Sequence, residues 1–225
     1  VFNDIKIYMS VVFRKGNVSI KKMKDNKYKI DYDEGKYKHF WKFVKELVGE
    51  KNNIFEAYSV ISLKELLKEK KNKLSYHHLS LFFKQVGNQY INLEKDGFGK
   101  IFIDLDDIVI INKNEEKKES VFLCLGLEDI FKIEKNAITV DFPYKKSRES
   151  RFFSPELKNG KKFPIKIKKE SCIYSLCAVI VCCLKSNFDL DNIKEELSSI
   201  DETKLYYALN RCLEEQAHNR YYLWI

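Results

Sequence analysis

The chain has 225 residues, of which 44% are hydrophobic and 14% aromatic, enough apolar mass for a packed core and too much for a disordered chain. With only 3 prolines and 8 glycines it is neither collagen-like nor a low-complexity linker. The net charge of +8 comes from 41 basic and 33 acidic residues, and 36 of the 41 are lysines because the arginines number five: Arg14, Arg148, Arg151, Arg211 and Arg220. Bidentate reading of phosphates and bases prefers arginine, so the charge is read as a solvated lysine surface, and nucleic acid is not the expected partner.

Taken in chain order, the first 35 residues alternate apolar and polar. Asp4 to Phe13, Asn17 to Met23 and Tyr28 to Asp33 read as short strands joined by Lys15-Gly16-Asn17 and Lys24-Asp25-Asn26. Phe40, Val44 and Leu47 place a helix over Lys38 to Val48, and Asn53 to Val60 reads as one further strand. Ser62 and Glu65 have the spacing of a capping box, which starts a short helix through Lys70. Ser75 can cap the next helix, whose Leu79, Phe82, Phe83, Val86 and Tyr90 form one stripe. Lys100 to Ile103, Asp107 to Ile111 and Val121 to Gly126 read as strands, and Gly126 to Pro155 shows little periodicity. Cys172 to Leu184 is apolar all round, too short to cross a bilayer and suited to a buried helix; no membrane span is expected. Leu205, Ala208, Leu209, Cys212 and Leu213 make the stripe of a last helix.

Chemistry-bearing residues are few. Cys124, Cys172, Cys177, Cys182, Cys183 and Cys212 contain no C-x-x-C pair, and His39, His77, His78 and His218 offer no zinc spacing. Reduced core thiols are the expectation, in an intracellular setting, cytoplasmic or nuclear. Asp104, Asp106 and Asp107 form a carboxylate cluster; in an extended segment Asp104 and Asp106 share a face and could hold a divalent ion, although a solvated turn is the preferred reading. Lys145, Lys146, Arg148 and Arg151 form a basic cluster, read first as a flexible solvated loop and otherwise as a docking site for an acidic peptide, a phosphoprotein or an RNA backbone.

Several motifs in order resemble the protein-kinase superfamily. Val18-Ser19-Ile20-Lys21 resembles the V-A-I-K strand, taken as a strand that follows a β-hairpin, and Tyr58 to Leu67 looks like a hinge running into a short helix. Phe153-Ser154-Pro155-Glu156-Leu157 is similar to the A-P-E motif, and Ser171 to Cys177 to the S-D-x-Y-S-x-G start of the central helix of the larger lobe. Arg211 to Arg220 is similar to R-C-L-x-x-D-P-x-x-R. The resemblance implies an α+β, two-lobed kinase-like fold over residues 1–225, with a small β-rich N-lobe at 1–57, a hinge at 58–61 and a helical C-lobe at 62–225. It also implies a buried structural pair, Glu156 with Arg220.

The departures from that family are as informative as the matches. The proton-accepting aspartate falls on Phe102, the metal-binding asparagine on Asp107 and the magnesium-binding aspartate on Cys124, with Lys21 left as a nucleotide-binding remnant. Phenylalanine takes no proton and a thiol is a poor ligand for a hard cation. The only glycine between Val1 and Lys21 is Gly16, too few for a phosphate-cradling loop. The resemblance therefore implies a pseudokinase without catalytic residues, cofactor or metal, binding a protein partner such as an active kinase or a signalling complex. The alternatives are an atypical Ser/Thr kinase using Lys21 with Asp104 or Asp107, and a basic nucleic-acid-binding domain. Without a metal-anchored aspartate, Leu127 to Phe153 is expected to be mobile or held by nonstandard packing, anchored by burial of Phe142, Phe152 and Phe153 with Lys145, Lys146 and Arg148 in solvent.

Overall fold

The computed structural model describes residues 9–69, 73–141, 152–160, 162–184 and 193–225. Strands β1 (Ser10–Lys15), β2 (Val18–Lys22), β3 (Lys27–Asp31) and β4 (Ile54–Glu56) form an antiparallel sheet in the order β1-β2-β3-β4. The turn between β1 and β2 uses Gly16 at φ +52°, a left-handed conformation that glycine adopts without strain. Helix α1 (Lys38–Val48) buries Phe40, Trp41, Val44 and Val48 on one face and ends at Gly49, whose φ of +71° closes the last turn onto the Lys45 carbonyl. Its N-terminus has no side-chain cap of its own. The Asp96 carboxylate, from the far end of another helix, accepts the His39 and Phe40 backbone N–H groups, each at 3.0 Å.

Asn53 to Val60 is two strands rather than one. It breaks at Ala57-Tyr58, and β5 (Ser59–Ser62) leaves the first sheet to pair with β7 (Ile108–Asn112), which pairs in turn with β8 (Ser120–Cys124). Helix α2 (Leu63–Glu69) starts at a reciprocal capping box: Glu65 N–H donates to Ser62 Oγ, and Ser62 N–H to Glu65 Oε2. Helix α3 (Tyr76–Lys95) starts with Ser75 accepting the His78 N–H. Every residue of β7 and β8 is buried, so this hairpin is covered on both faces. Alternation divides it between two cores. Val109, Ile111, Val121 and Leu123 pack with the β1–β4 sheet and α1, while Ile108, Ile110, Phe122 and Cys124 pack with α3 and the C-terminal helices.

The segment Gly126 to Pro155, read as aperiodic, holds β9 (Ile130–Lys132) and β10 (Ala137–Val140), paired respectively with β6 (Phe98–Lys100) and β11 (Ile165–Lys168). The predicted strand at Lys100 to Ile103 is shifted: β6 ends at Lys100, and Ile101, Phe102 and Ile103 are buried outside any ladder. Helix α4 (Pro155–Lys158) precedes α5 (Ser171–Cys182), all twelve residues of which are buried, as an apolar surface all round demands. Helices α6 (Ile193–Glu196) and α7 (Lys204–Cys212) follow, α7 burying Leu205, Ala208, Leu209 and Cys212. The fold is thus mixed α+β with small antiparallel sheets. Among the described residues, no helix is long and apolar enough to cross a membrane.

The six cysteines are all buried thiols, and burial pushes the Cys124 thiol up to about 12. Native protein should therefore react with a thiol reagent at well under one group per chain, and with six groups in denaturant. Fast native labelling of several thiols would contradict this packing.

Candidate functional site

Asp107 is the centre of the polar cluster. It closes a single 3-10 turn, Leu105–Asp107, that separates buried Ile103 from β7. The Asp104 carboxylate accepts the Leu105 N–H at 2.6 Å, and Asp107 Oδ2 accepts the Asp104 N–H at 3.0 Å. The turn therefore caps itself, and the extended reading that put Asp104 and Asp106 on one face is corrected. Their short side chains serve the local backbone instead of a common ligand. Asp106 points elsewhere, pairing with Lys64 at 3.0 Å.

Both Asp107 oxygens face lysines. Lys100 Nζ lies 3.1 Å from Oδ2 and Lys15 Nζ lies 3.3 Å from Oδ1. Asp107 is 3% exposed and Lys100 only 1%, and the Lys100 ammonium also donates to the Glu128 carbonyl at 2.9 Å. Lys15 comes from the end of β1, so the β1–β2 turn lies over the cluster. Sequence reasoning missed both lysines as site residues. Lys100 carries a usable signal, a lone charge inside Phe98-Gly99-Lys100-Ile101-Phe102-Ile103, which forces a buried partner. Lys15 carries none, since its partner lies far along the chain.

The neighbouring positions are apolar. Phe102 is buried with its ring 4.6 Å from that of Phe153. Cys124 is buried at the end of β8, and its N–H donates to Gln89 Oε1 at 2.9 Å, while Gln89 Nε2 donates to the Phe122 carbonyl. The backbone next to Phe102 is fixed from α5, where Ser175 Oγ accepts the Ile103 N–H at 2.8 Å. Burial raises the Asp104 carboxyl above its ordinary value. Gly126 follows β8 with no room for a side chain, because a Cβ there would sit 2.0 Å from Asp107 Oδ1. Gly126→Ala should therefore displace the carboxylate from its lysines and destabilise by about 1–3 kcal/mol, read by thermal melting. An unchanged melting temperature would mean that the close approach is absent.

Lys21 lies apart from this cluster. Among the described residues it sits on β2, the second strand of the first hairpin rather than a strand after it, and its amine meets Asp31 of β3 at 2.8 Å. The Lys21 bond is the main cause holding the Asp31 carboxyl below its ordinary value.

The structure brings Glu156 and Arg220 together, with Arg220 Nη2 2.9 Å from Glu156 Oε1 and Nη1 donating to Oε2 at 3.1 Å. The Arg220 side chain is fully buried. Its Nε donates to the Glu214 carbonyl and its Nη2 to the Glu215 carbonyl, both at 2.6 Å, and the guanidinium stands 4.8 Å from the Tyr174 ring centre. Burial alone would raise the Glu156 carboxyl, but the Arg220 hydrogen bond and charge outweigh it and hold the group below its ordinary value. A depressed folded pKa gives stability that is present above the unfolded value and lost as pH falls through the folded one. Glu156→Gln should thus flatten the fall of melting temperature below about pH 4.3, the ordinary value for glutamate. An acid limb that keeps its slope would show that Glu156 contributes nothing to it.

Phe152 and Phe153 are buried as expected, whereas Phe142 and the cluster Lys145, Lys146, Arg148 and Arg151 lie outside the described residues. Among the described residues, no group of three His, Cys, Asp or Glu side chains is placed to hold a metal. No family model matches the chain, and no curated protein matches it closely enough to count as a relative.

Proposed function

We propose that the chain is a degenerate member of the protein-kinase-like superfamily, two-lobed about a hinge at 58–61, that acts by binding a protein partner rather than by phosphoryl transfer. The succession of sheet, α1, β5, α2, α3, the turn at Asp107, the β7–β8 hairpin, α4 and α5 follows the order of the motifs that carry the resemblance. The observation that carries the functional reading is the occupation of Asp107 by Lys15 and Lys100. In the resemblance this side chain stands where a kinase holds magnesium, and here two ammonium groups of the chain itself neutralise it. A cation arriving there would have to displace both. Phe102 in place of the proton acceptor and buried Cys124 in place of the second metal ligand support the same reading.

The direct assay is transfer of labelled γ-phosphate from ATP to the chain itself and to generic protein substrates. The proposal expects label no higher than in an Asp107→Ala control. Labelling well above that control would make the chain an enzyme. If transfer is absent, recovery of the same protein by the wild-type chain, and not by a heat-denatured one, supports the partner-binding half of the proposal.

A further inference from the structure

Residues 221–225 lie in no helix or strand and run between α3 and α7. Tyr222 stacks on Phe83 of α3 at 4.8 Å and donates its hydroxyl to the Phe83 carbonyl at 3.2 Å. Tyr221 lies toward the end of α7, where the Arg211 guanidinium stands 4.9 Å from its ring centre. Ile225 reaches the start of α7. There it lines an open cavity of about 280 Å³ with Tyr76, His77, Leu81 and Lys84 of α3 and Lys204 of α7. The segment therefore runs back along α7, from Arg211 to Lys204. An apolar cavity of about 150 Å³ already accommodates benzene, so one bulky apolar side chain fits beside Ile225.

The same face is aromatic and of one sign. Among the described residues seven large hydrophobic side chains stand exposed, and Tyr76, Tyr207, Tyr221 and Trp224, four of them, are gathered here. Lys204, Tyr207 and Arg211 share the solvent face of α7. No acidic residue lies on α7 or in the wall of the cavity. Lys84, Lys204 and Arg211 pair with no described carboxylate, so their charge is left for a partner. The backbone groups of 222–225 make no hydrogen bond among the described residues, which leaves donors and acceptors for another peptide chain. That favours a peptide over a nucleic acid, which would leave those groups unmatched. We infer that this face docks an acidic peptide segment, with one Phe, Leu or Trp side chain in the cavity and flanking carboxylates on Lys84, Lys204 and Arg211. The inference rests on the partner-binding reading and adds to it the chemistry of the partner.

The probes are three fluorescein-labelled nonapeptides of Asp and Glu with a central Phe, Leu or Trp, followed by fluorescence anisotropy. At least one should bind saturably at submillimolar concentration in low salt, and at least tenfold more tightly than two controls. One control has a central Ala, and the other has Asn and Gln in place of the acids. Raising the salt to about 0.3 M should weaken binding severalfold. Lys84→Glu combined with Lys204→Glu should weaken it at least tenfold while the melting temperature stays within a few degrees. Both side chains are exposed, and an acid suits the first turn of α7. The inference is overturned by no saturable binding of any of the three at millimolar concentration, by equal affinity for either control, or by full binding to the double variant. Tighter binding of oligouridylate or of phosphatidylserine vesicles also overturns it, making the face a nucleic-acid or membrane site. The two readings fail separately. A protein recovered equally by the wild-type chain and the double variant overturns this face and leaves partner binding standing; peptide binding with no protein recovered overturns partner binding instead.

Discussion

Asp107→Ala is expected to lower the melting temperature by roughly 10 °C. The substitution leaves the Lys100 ammonium, 1% exposed, with only the Glu128 carbonyl, and it uncaps the Asp104 N–H. Removing one partner of a buried ion pair costs about 3–5 kcal/mol, and a domain of this size loses about 2–4 °C for each kcal/mol. The cost lies in the stranded charge, so Lys100→Met added to Asp107→Ala should recover a large part of the loss. A double variant as unstable as the single one would show that Asp107 acts through the turn alone. Lys15 is a quarter exposed at its side chain, and Lys15→Ala should cost about 1 kcal/mol or less.

Arg220→Ala should be of similar size, about 3–5 kcal/mol, because it strands the Glu214 and Glu215 carbonyls and the Glu156 carboxylate together. Glu156→Gln should cost clearly less. Its carboxylate is part-exposed, and an amide oxygen can still accept from the guanidinium. Arg220→Lys should recover under half of the Ala loss, since a lysine cannot reach the carboxylate and both carbonyls from one planar fork. Equal melting temperatures for Arg220→Lys and the wild type would show that only the charge matters there. Urea denaturation of the three variants decides the order.

The helices were the legible part of this fold. The stripe of α1, the capping box of α2, the Ser75 cap of α3 and the all-apolar α5 each lie in a few adjacent residues, and each has its expected form. The strands were less so. β9 is three residues and β10 and β11 four each, too short for alternation to stand out, and β10 finds its partner about 30 residues away. Asn53 to Val60 misled because its apolar pattern continues through the point where the chain changes sheets.

The site divides in the same way. Phe102, Asp107 and Cys124 could be singled out from the sequence because each departs from a resembling motif, and Glu156 with Arg220 because each fits one. The ion pairs of Asp107 had no local trace beyond the isolated Lys100. The Asp96 cap on α1 had none, joining residues 56 and 57 positions apart. Tertiary polar contacts of this kind follow from the packing of whole elements, and no spacing rule reaches across it.

The most direct test of the proposal that the Asp107 cluster is closed and non-catalytic is calorimetric titration of ATP into the wild-type chain and into Asp107→Asn, with and without magnesium. The Lys15 and Lys100 contacts predict no saturable magnesium-dependent heat at millimolar ATP and no magnesium-dependent rise in melting temperature. Saturable binding that requires magnesium and disappears in Asp107→Asn would contradict the account, because the metal would then have displaced both lysines from the carboxylate.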